Sequence, residues 1–278
     1  MTAGDATPTA GSSGAIDAIT AVAMLEWYAA AGVDAAVDDA PAAAWSLEPG
    51  SDLERRQVPA HGSRAAAGPA RVEPQPSLLV PESRRVGSAR EIAGRCDTLA
   101  ELKDALAEFD GCALKATARQ ACFADGNPEA RLMLIGEAPG AEEDRQGKPF
   151  VGQSGQLLDR ILAEIGIDRT TAWITNVIYW RPPGNRTPTD GEIAVCQPFL
   201  ERQIELLSPD FILFVGGIAA KALLGRKEGV TKLRGRPFTY TATDGRQIPC
   251  LVTFHPAYLL RQPLNKRFVW RDMLQMRA

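Results

Sequence analysis

The sequence predicts an α/β fold: a four-stranded parallel sheet with helices on both faces. Two observations predict it. Four short apolar, β-rich segments recur between residues 131 and 254, and segments with helical spacing separate them. Each β-rich segment also runs into a turn rich in Gly, Pro, Asn or His. In open parallel sheets, ligands bind at the carboxyl ends of the strands, so those turns are where chemistry is to be sought.

The elements follow in chain order. Sixteen of the first fifty residues are Ala, and Ala18 to Ala31 has helical spacing, carries Leu25, Trp27 and Tyr28, and stops at Gly32. Residues 1–39 therefore read as an Ala-rich helical segment. Residues 40–87 are rich in Ala, Pro, Gly, Ser and Arg without periodicity and read as a flexible linker. A helix is predicted from Ser88 through Leu99, Leu102 and Leu106 towards Phe109, which starts a globular domain spanning 88–278. Strand Arg131 to Ile135 precedes helix Gln156 to Ile165. Strand Trp173 to Ile178 precedes helix Asp190 to Leu207, capped by Thr189 or Asp190. Strand Asp210 to Val215 precedes helix Ile218 to Leu224, and strand Cys250 to Phe254 precedes a final helix, Asn265 to Met276.

Composition narrows the function classes. Hydrophobic residues are 45% and charged residues 23%, as in an ordinary soluble domain. No apolar run approaches the roughly 18 residues that span a bilayer, so no membrane association is expected. The first ten residues have neither a basic nor an apolar stretch, which argues against a secretory signal, and the five Cys show no framework of close pairs. A cytoplasmic protein with free thiols is expected. Two His exclude a multi-histidine metal site. The formal charge of −3 divides unevenly: −5 over residues 1–87, +2 over 88–278, and +7 over 229–278. The basic last fifty residues suit a polyanionic partner, or else a solvated helix face.

The four strand ends carry the unusual residues. After the first comes Gly136-Glu137-Ala138-Pro139-Gly140, then Glu142-Glu143-Asp144 and Gly147-Lys148-Pro149-Phe150-Val151-Gly152. Such a loop lets backbone N–H groups approach a ligand and throws Glu137 out at the tip of a core strand. The second ends in Thr175-Asn176-Val177. Asn is a poor strand residue, and a buried carboxamide must find partners for one acceptor and two donors. It either caps a neighbouring loop or pairs with the edge of a pyrimidine, C=O to N3–H and N–H to O4. The following Arg181-Pro182-Pro183-Gly184-Asn185-Arg186-Thr187-Pro188 is a stiff cationic loop suited to phosphates. Gly216-Gly217 closes the third strand at a helix N-terminus, a ready anion site. His255-Pro256-Ala257-Tyr258-Leu259-Leu260-Arg261 closes the fourth, and Leu259 or Leu260 offers an apolar wedge for a base stack. His61 lies in the linker without context.

Taken together, the motifs at 136–140, 148–159, 175–177, 181–188 and 255–261 resemble the uracil-DNA glycosylase superfamily, most closely its family 4 from bacteria and archaea. The resemblance covers residues 105–278. It implies a three-layer α/β/α sandwich on a central four-stranded parallel sheet. It also implies a bacterial DNA-repair hydrolase that flips uracil out of DNA, cleaves the N-glycosidic bond and leaves an abasic site. On this resemblance, Glu137 orients the attacking water, Asn176 reads the Watson–Crick edge, and His255 stabilises the departing anion at O2. Phe150 stacks on the ring, Ala138 lines the site, and Glu143 crowds C5 against thymine. Arg181, Arg186, Gly216, Gly217, Leu259, Arg261, Lys266 and Arg267 would contact DNA. A monomer is expected.

The family typically binds a 4Fe–4S cluster through four Cys. The corresponding positions here are Phe109, Cys112, Trp180 and Cys196, so two thiols remain where a cubane wants four ligands. The expectation is therefore no metal, no cluster and no other cofactor. Two other readings compete: a glycosylase of wider range that also takes hypoxanthine, and a catalytically silent DNA-binding module. The set Glu137, Asn176 and His255 argues against the second, because plain phosphate binding needs none of them.

Overall fold

The computed structural model describes residues 81–277. The predicted Ala18–Ala31 helix and nearly all of the predicted linker lie outside the described residues.

The first described element is α1 (Glu82–Gly94), with Ala89 and Ala93 facing the core. A Thr98 cap, accepting from the Glu101 N–H, opens α2 (Leu99–Glu108). The single helix predicted from Ser88 is thus two helices, broken at Arg95–Asp97, and the first of them starts at Glu82, six residues before Ser88. Next come a two-residue edge strand, β1 (Asp125–Gly126), and the first core strand, β2 (Leu132–Gly136). Two helices follow, α3 (Ala141–Gln146) and α4 (Gln153–Ala163). Then come β3 (Ala172–Asn176) and α5 (Asp190–Leu207). Thr189 caps α5 in a capping box with Glu192, an arrangement worth about 1 kcal/mol. The remainder is β4 (Phe211–Val215), α6 (Gly217–Leu224), α7 (Val230–Leu233), β5 (Pro237–Thr241), β6 (Gln247–Thr253), α8 (Pro256–Arg261) and α9 (Lys266–Arg277).

The sheet order is β1-β3-β2-β4-β6-β5. The inner strands β3, β2, β4 and β6 are parallel, as predicted, and β1 and β5 add antiparallel edges that the sequence reading did not include. Side chains alternate across this sheet. Met133, Ile135, Ile212, Phe214 and Val252 pack with α1, α2, α5 and α6 on one face. Leu134, Ile174, Leu213, Val215 and Leu251 pack with α4, α8 and α9 on the other. The result is a three-layer α/β/α sandwich. Among the described residues no helix is long and apolar enough to cross a membrane.

Candidate functional site

The carboxyl ends of β2, β3 and β6 converge on a cavity of about 460 Å³ lined by Glu137, Ala138, Glu143, Phe150, Asn176, His255 and Arg261, among others. A larger hollow of about 560 Å³ lies over the β5 edge. Its lining has no carboxylate, His or Asn, and burial raises the phenol of its Tyr240 above the usual range.

Backbone pairing sets the floor of the first cavity. Gly136 pairs with Asn176 across β2 and β3, and Val177 and Ile178 donate to the carbonyls of Gly136 and Glu137 at 3.0 Å each. This stitching places Glu137 beside the end of β3. Asn176 is 1% exposed, and its Oδ1 is buried without a hydrogen-bond partner. An unmade hydrogen bond at a buried acceptor costs about 1–3 kcal/mol, so Asn176 is a destabilising residue unless something binds. Gly136 is the residue that lets the site close: a Cβ there would lie 2.4 Å from both Asn176 Oδ1 and the Phe150 ring. Burial raises the Glu137 carboxyl above its usual value.

His255 lies two residues beyond the end of β6 and is the N-cap of α8, where its Nδ1 accepts the Ala257 N–H at 3.1 Å. A neutral imidazole has one donor and one acceptor nitrogen, so this bond fixes the proton on Nε2. Burial, reinforced by Arg261, lowers the His255 pKa to about 4, and the ring is a neutral donor at physiological pH. Gly216, at φ 110°, comes within van der Waals contact of the His255 ring: a Cβ on it would meet the His255 Cβ at 3.3 Å. Gly217 packs against Val230 instead.

Phe150 is buried at 4% exposure with φ 55°, in the left-handed region, which costs a β-substituted residue about 1–2 kcal/mol. Its ring lies 5.5 Å from that of His255, tilted by 30°. Glu143 holds the neighbouring backbone. Its Oε1 accepts from Val151 at 3.0 Å and Gly152 at 2.8 Å, and its Oε2 accepts from Gly140 at 3.1 Å. The carboxylate expected to crowd a pyrimidine C5 is therefore also the tie of the surrounding loop.

The cationic residues divide. Arg186 and Arg261 reach the cavity rim, and Arg186 pairs with Glu192. Arg181 donates to Asn185 Oδ1 at 2.8 Å. Arg267 is exposed at the start of α9, its guanidinium 4.9 Å from the Phe268 ring. Two expectations are corrected. Leu259 is fully buried under α8, because the helix turns it inward against the core, so it cannot wedge into DNA; Leu260 and Leu264 are the exposed ones, at 45% and 80%. Lys266 is buried at 4% exposure and presents no free cation at the surface.

Sequence reasoning missed Ser154, Pro182, Asn185, Thr187 and Ala257 as cavity residues. Asn185 and Thr187 stand in the cationic loop already singled out, and Ser154 sits in the first turn of α4, just after the Gly147–Gly152 motif, so those signals were present.

The positions corresponding to cluster ligands do come together in one core. Cys112 and Cys196 stand 3.9 Å apart, sulfur to sulfur, with the Cys196 thiol donating. The hydrogen bond to Cys112, with burial, holds Cys196 protonated well above the usual thiol range. The Phe109 ring packs against that of Phe199 at 5.1 Å, tilted by 54°, and covers Gly111, and Trp180 is 2% exposed. A phenyl and an indole supply no donor to iron. Among the described residues no group of three or more His, Cys, Asp or Glu side chains is placed to hold a metal. The donor set does not fit a cubane cluster.

The family model for the uracil DNA glycosylase superfamily matches residues 123–274. The chain is 42% identical over 165 residues to a type-4 uracil-DNA glycosylase of Thermotoga maritima, covering 58% of this chain and 84% of that protein. It is 40% identical over 179 residues to one of Pyrobaculum aerophilum, covering 63% and 91%. It is 34% identical over 186 residues to one of Sulfurisphaera tokodaii, covering 65% and 84%.

Proposed function

Because the chain belongs to the uracil-DNA glycosylase superfamily, and resembles its type-4 members over most of their length, we propose that its strand-end cavity removes uracil from DNA. The enzyme is a monofunctional uracil-DNA glycosylase, an N-glycosyl hydrolase of DNA repair that leaves an abasic site. One observation carries the assignment of residues: the orphaned, buried Asn176 Oδ1 at the edge of the Phe150 ring. An acceptor left unpaired in the free protein matches the N3–H of a flipped uracil, and the carboxamide N–H reaches O4.

The chemistry follows from charge. Breaking C1′–N1 builds positive charge on the sugar and negative charge on the base. The neutral His255 Nε2–H donates to uracil O2 as that charge develops, and preorganised donors of this kind are worth about 3–4 kcal/mol each. A neutral donor needs no deprotonated partner and leaves the anion free to depart. Glu137 directs water to C1′ and offsets the sugar's positive charge. Water oxygen bonds to C1′ as the pair in C1′–N1 leaves with the base, and the proton lost by water passes to the Glu137 carboxylate and on to solvent. Phe150 stacks on the flipped ring, Ala138 borders it, and Glu143 closes the C5 side.

DNA is gripped by Arg186 and Arg261 at the cavity rim with Arg181 and Arg267 further out, Gly216 and Gly217 lie at the third strand end, and exposed Leu260 or Leu264 takes the wedge role. The Phe109 and Trp180 side chains fill the volume a cluster would take, so the enzyme works without one, and we propose that it acts as a monomer. A DNA substrate and five buried free thiols suit the reducing cytoplasm of a bacterial cell.

The test is base release from a uracil-containing oligonucleotide at enzyme excess, in chelator. Abasic product is expected. DNA binding without abasic product would identify a silent binding module instead.

A further inference from the structure

We infer that Arg169 is the positioning residue for the aromatic platform of this site. The inference rests on the reading of Phe150 as the surface on which the flipped base stacks.

Arg169 precedes β3, on the turn after α4, and is not a cavity residue. Its guanidinium reaches the backbone on either side of the Phe150 Cα. Nη1 donates to the Pro149 carbonyl at 3.2 Å and Nη2 donates to the Phe150 carbonyl. From the other direction, Glu143 accepts the N–H groups of Val151 and Gly152. One cation therefore holds the carbonyls before the turn and one carboxylate holds the amides after it. Between them lies the left-handed Phe150. Such a conformation persists only where the surroundings over-determine it. Gly155 completes the vice, since a Cβ on it would lie 1.8 Å from the Phe150 carbonyl oxygen.

Arg169 is itself anchored. Nη1 reaches Asp125 Oδ2 at 2.7 Å, and Nε and Nη2 reach Asp159 Oδ1 and Oδ2 at 3.1 and 3.4 Å. Asp125 also meets Lys148 at 3.1 Å. Burial would raise the Asp125 carboxyl, but the hydrogen bonds from Arg169 and Lys148 outweigh it and hold it below the usual range. All five guanidinium hydrogens have directions to serve here, which a planar fork supplies and an ammonium does not. This gives the short edge strand β1 a purpose: pairing Asp125 with Ile174 of β3 brings its carboxylate to Arg169.

A residue that acts only through Phe150 makes a specific demand on a double-mutant cycle. Single-turnover uracil release is measured for the wild type, Arg169→Gln, Phe150→Leu and the double variant, together with inhibition by free uracil and thermal stability. In the wild-type background Arg169→Gln should slow release about 10- to 100-fold, as a displaced platform does, and weaken inhibition by free uracil. In the Phe150→Leu background it should cost less than about twofold, a failure of additivity. Arg169→Lys, which keeps the charge without the fork, should reproduce the loss, and it serves in place of Arg169→Gln if that variant does not fold. Equal losses in both backgrounds, or unchanged inhibition by uracil, would overturn the inference while leaving the site assignment intact. Absence of release by the wild type would overturn both.

Discussion

The Nδ1 of His255 accepts the backbone N–H of Ala257 at 3.1 Å, and this one bond decides which nitrogen of the ring faces the cavity. The second nitrogen carries the proton, and burial keeps the ring neutral down to a pH of about 4.

The pH dependence follows. The rate should show no inflection near the ordinary histidine value of roughly 6.5. Its acidic limb should instead follow Glu137, whose carboxyl burial lifts above the usual glutamate range, and Glu137→Gln should lower the rate and flatten that limb. Stability has the opposite origin and a defined window. The unfolded chain takes up a proton at His255 near pH 6.5 and the folded one only near 4, so stability is complete above the higher value. It declines as pH falls from 6.5 to 4, by about 3 kcal/mol at most. A rate inflection near 6.5 that disappears in His255→Gln would contradict the neutral-donor account.

Gly136→Ala isolates the junction of platform and reader. Its Cβ would lie 2.4 Å from both Asn176 Oδ1 and the Phe150 ring, so both must move. Displacement of that size costs roughly 100-fold in rate. Uracil release should fall by that order while circular dichroism still reports a folded protein. Wild-type turnover in this variant would show that the two side chains are not used together.

The former cluster position gives a prediction in the other direction. Trp180→Cys adds a third thiol to the core that holds Cys112 and Cys196, yet it should not restore a cluster. It should destabilise the fold by about 3–5 kcal/mol, as loss of a buried indole does. The wild type prepared anaerobically should be colourless and hold no stoichiometric iron. A brown preparation with about four irons per chain would show that ligands outside the four compared positions serve.

The start of the domain is testable by truncation. Val86 packs against the core, and the Arg85 guanidinium donates to the Gly111 carbonyl at 3.4 Å. A protein beginning at residue 82 should keep full glycosylase activity. One beginning at Ser88 should fold less stably by about 1 kcal/mol for the lost apolar burial. Inactivity of the longer fragment would place part of the function in residues 1–81.

Some of this was legible in the sequence because it is local. Thr189 followed three residues later by Glu192 is a capping box, and it starts α5 as predicted. The four inner strands were visible because strands buried on both faces read as apolar runs. The β5–β6 hairpin was missed although Asp244-Gly245 marks its turn, since β5 alternates exposed and buried residues and is too polar to stand out. Asn176 announced itself as a polar residue at the end of an apolar strand. Leu259 and Leu260 could not be told apart, because a one-residue change of helical phase decides which faces the core. The role of Arg169 was illegible for a different reason. Its contacts reach residues up to 44 apart in the chain, as far as Asp125, and only the folded sheet brings those together.

The central claim is that the cavity trades stability for an unpaired acceptor that uracil satisfies, and Asn176→Ala tests it most directly. Removing an orphaned Oδ1 relieves a desolvation cost of about 1–3 kcal/mol, so the variant should melt within a few degrees of the wild type, or above it. The same variant should lose about 2–4 kcal/mol of transition-state stabilisation, measured as single-turnover release from a uracil oligonucleotide at enzyme excess. Unchanged stability with release slowed by a factor of roughly 30 to 1,000 is the expected pair of results. Release at the wild-type rate, or no abasic product from the wild type itself, would contradict the account.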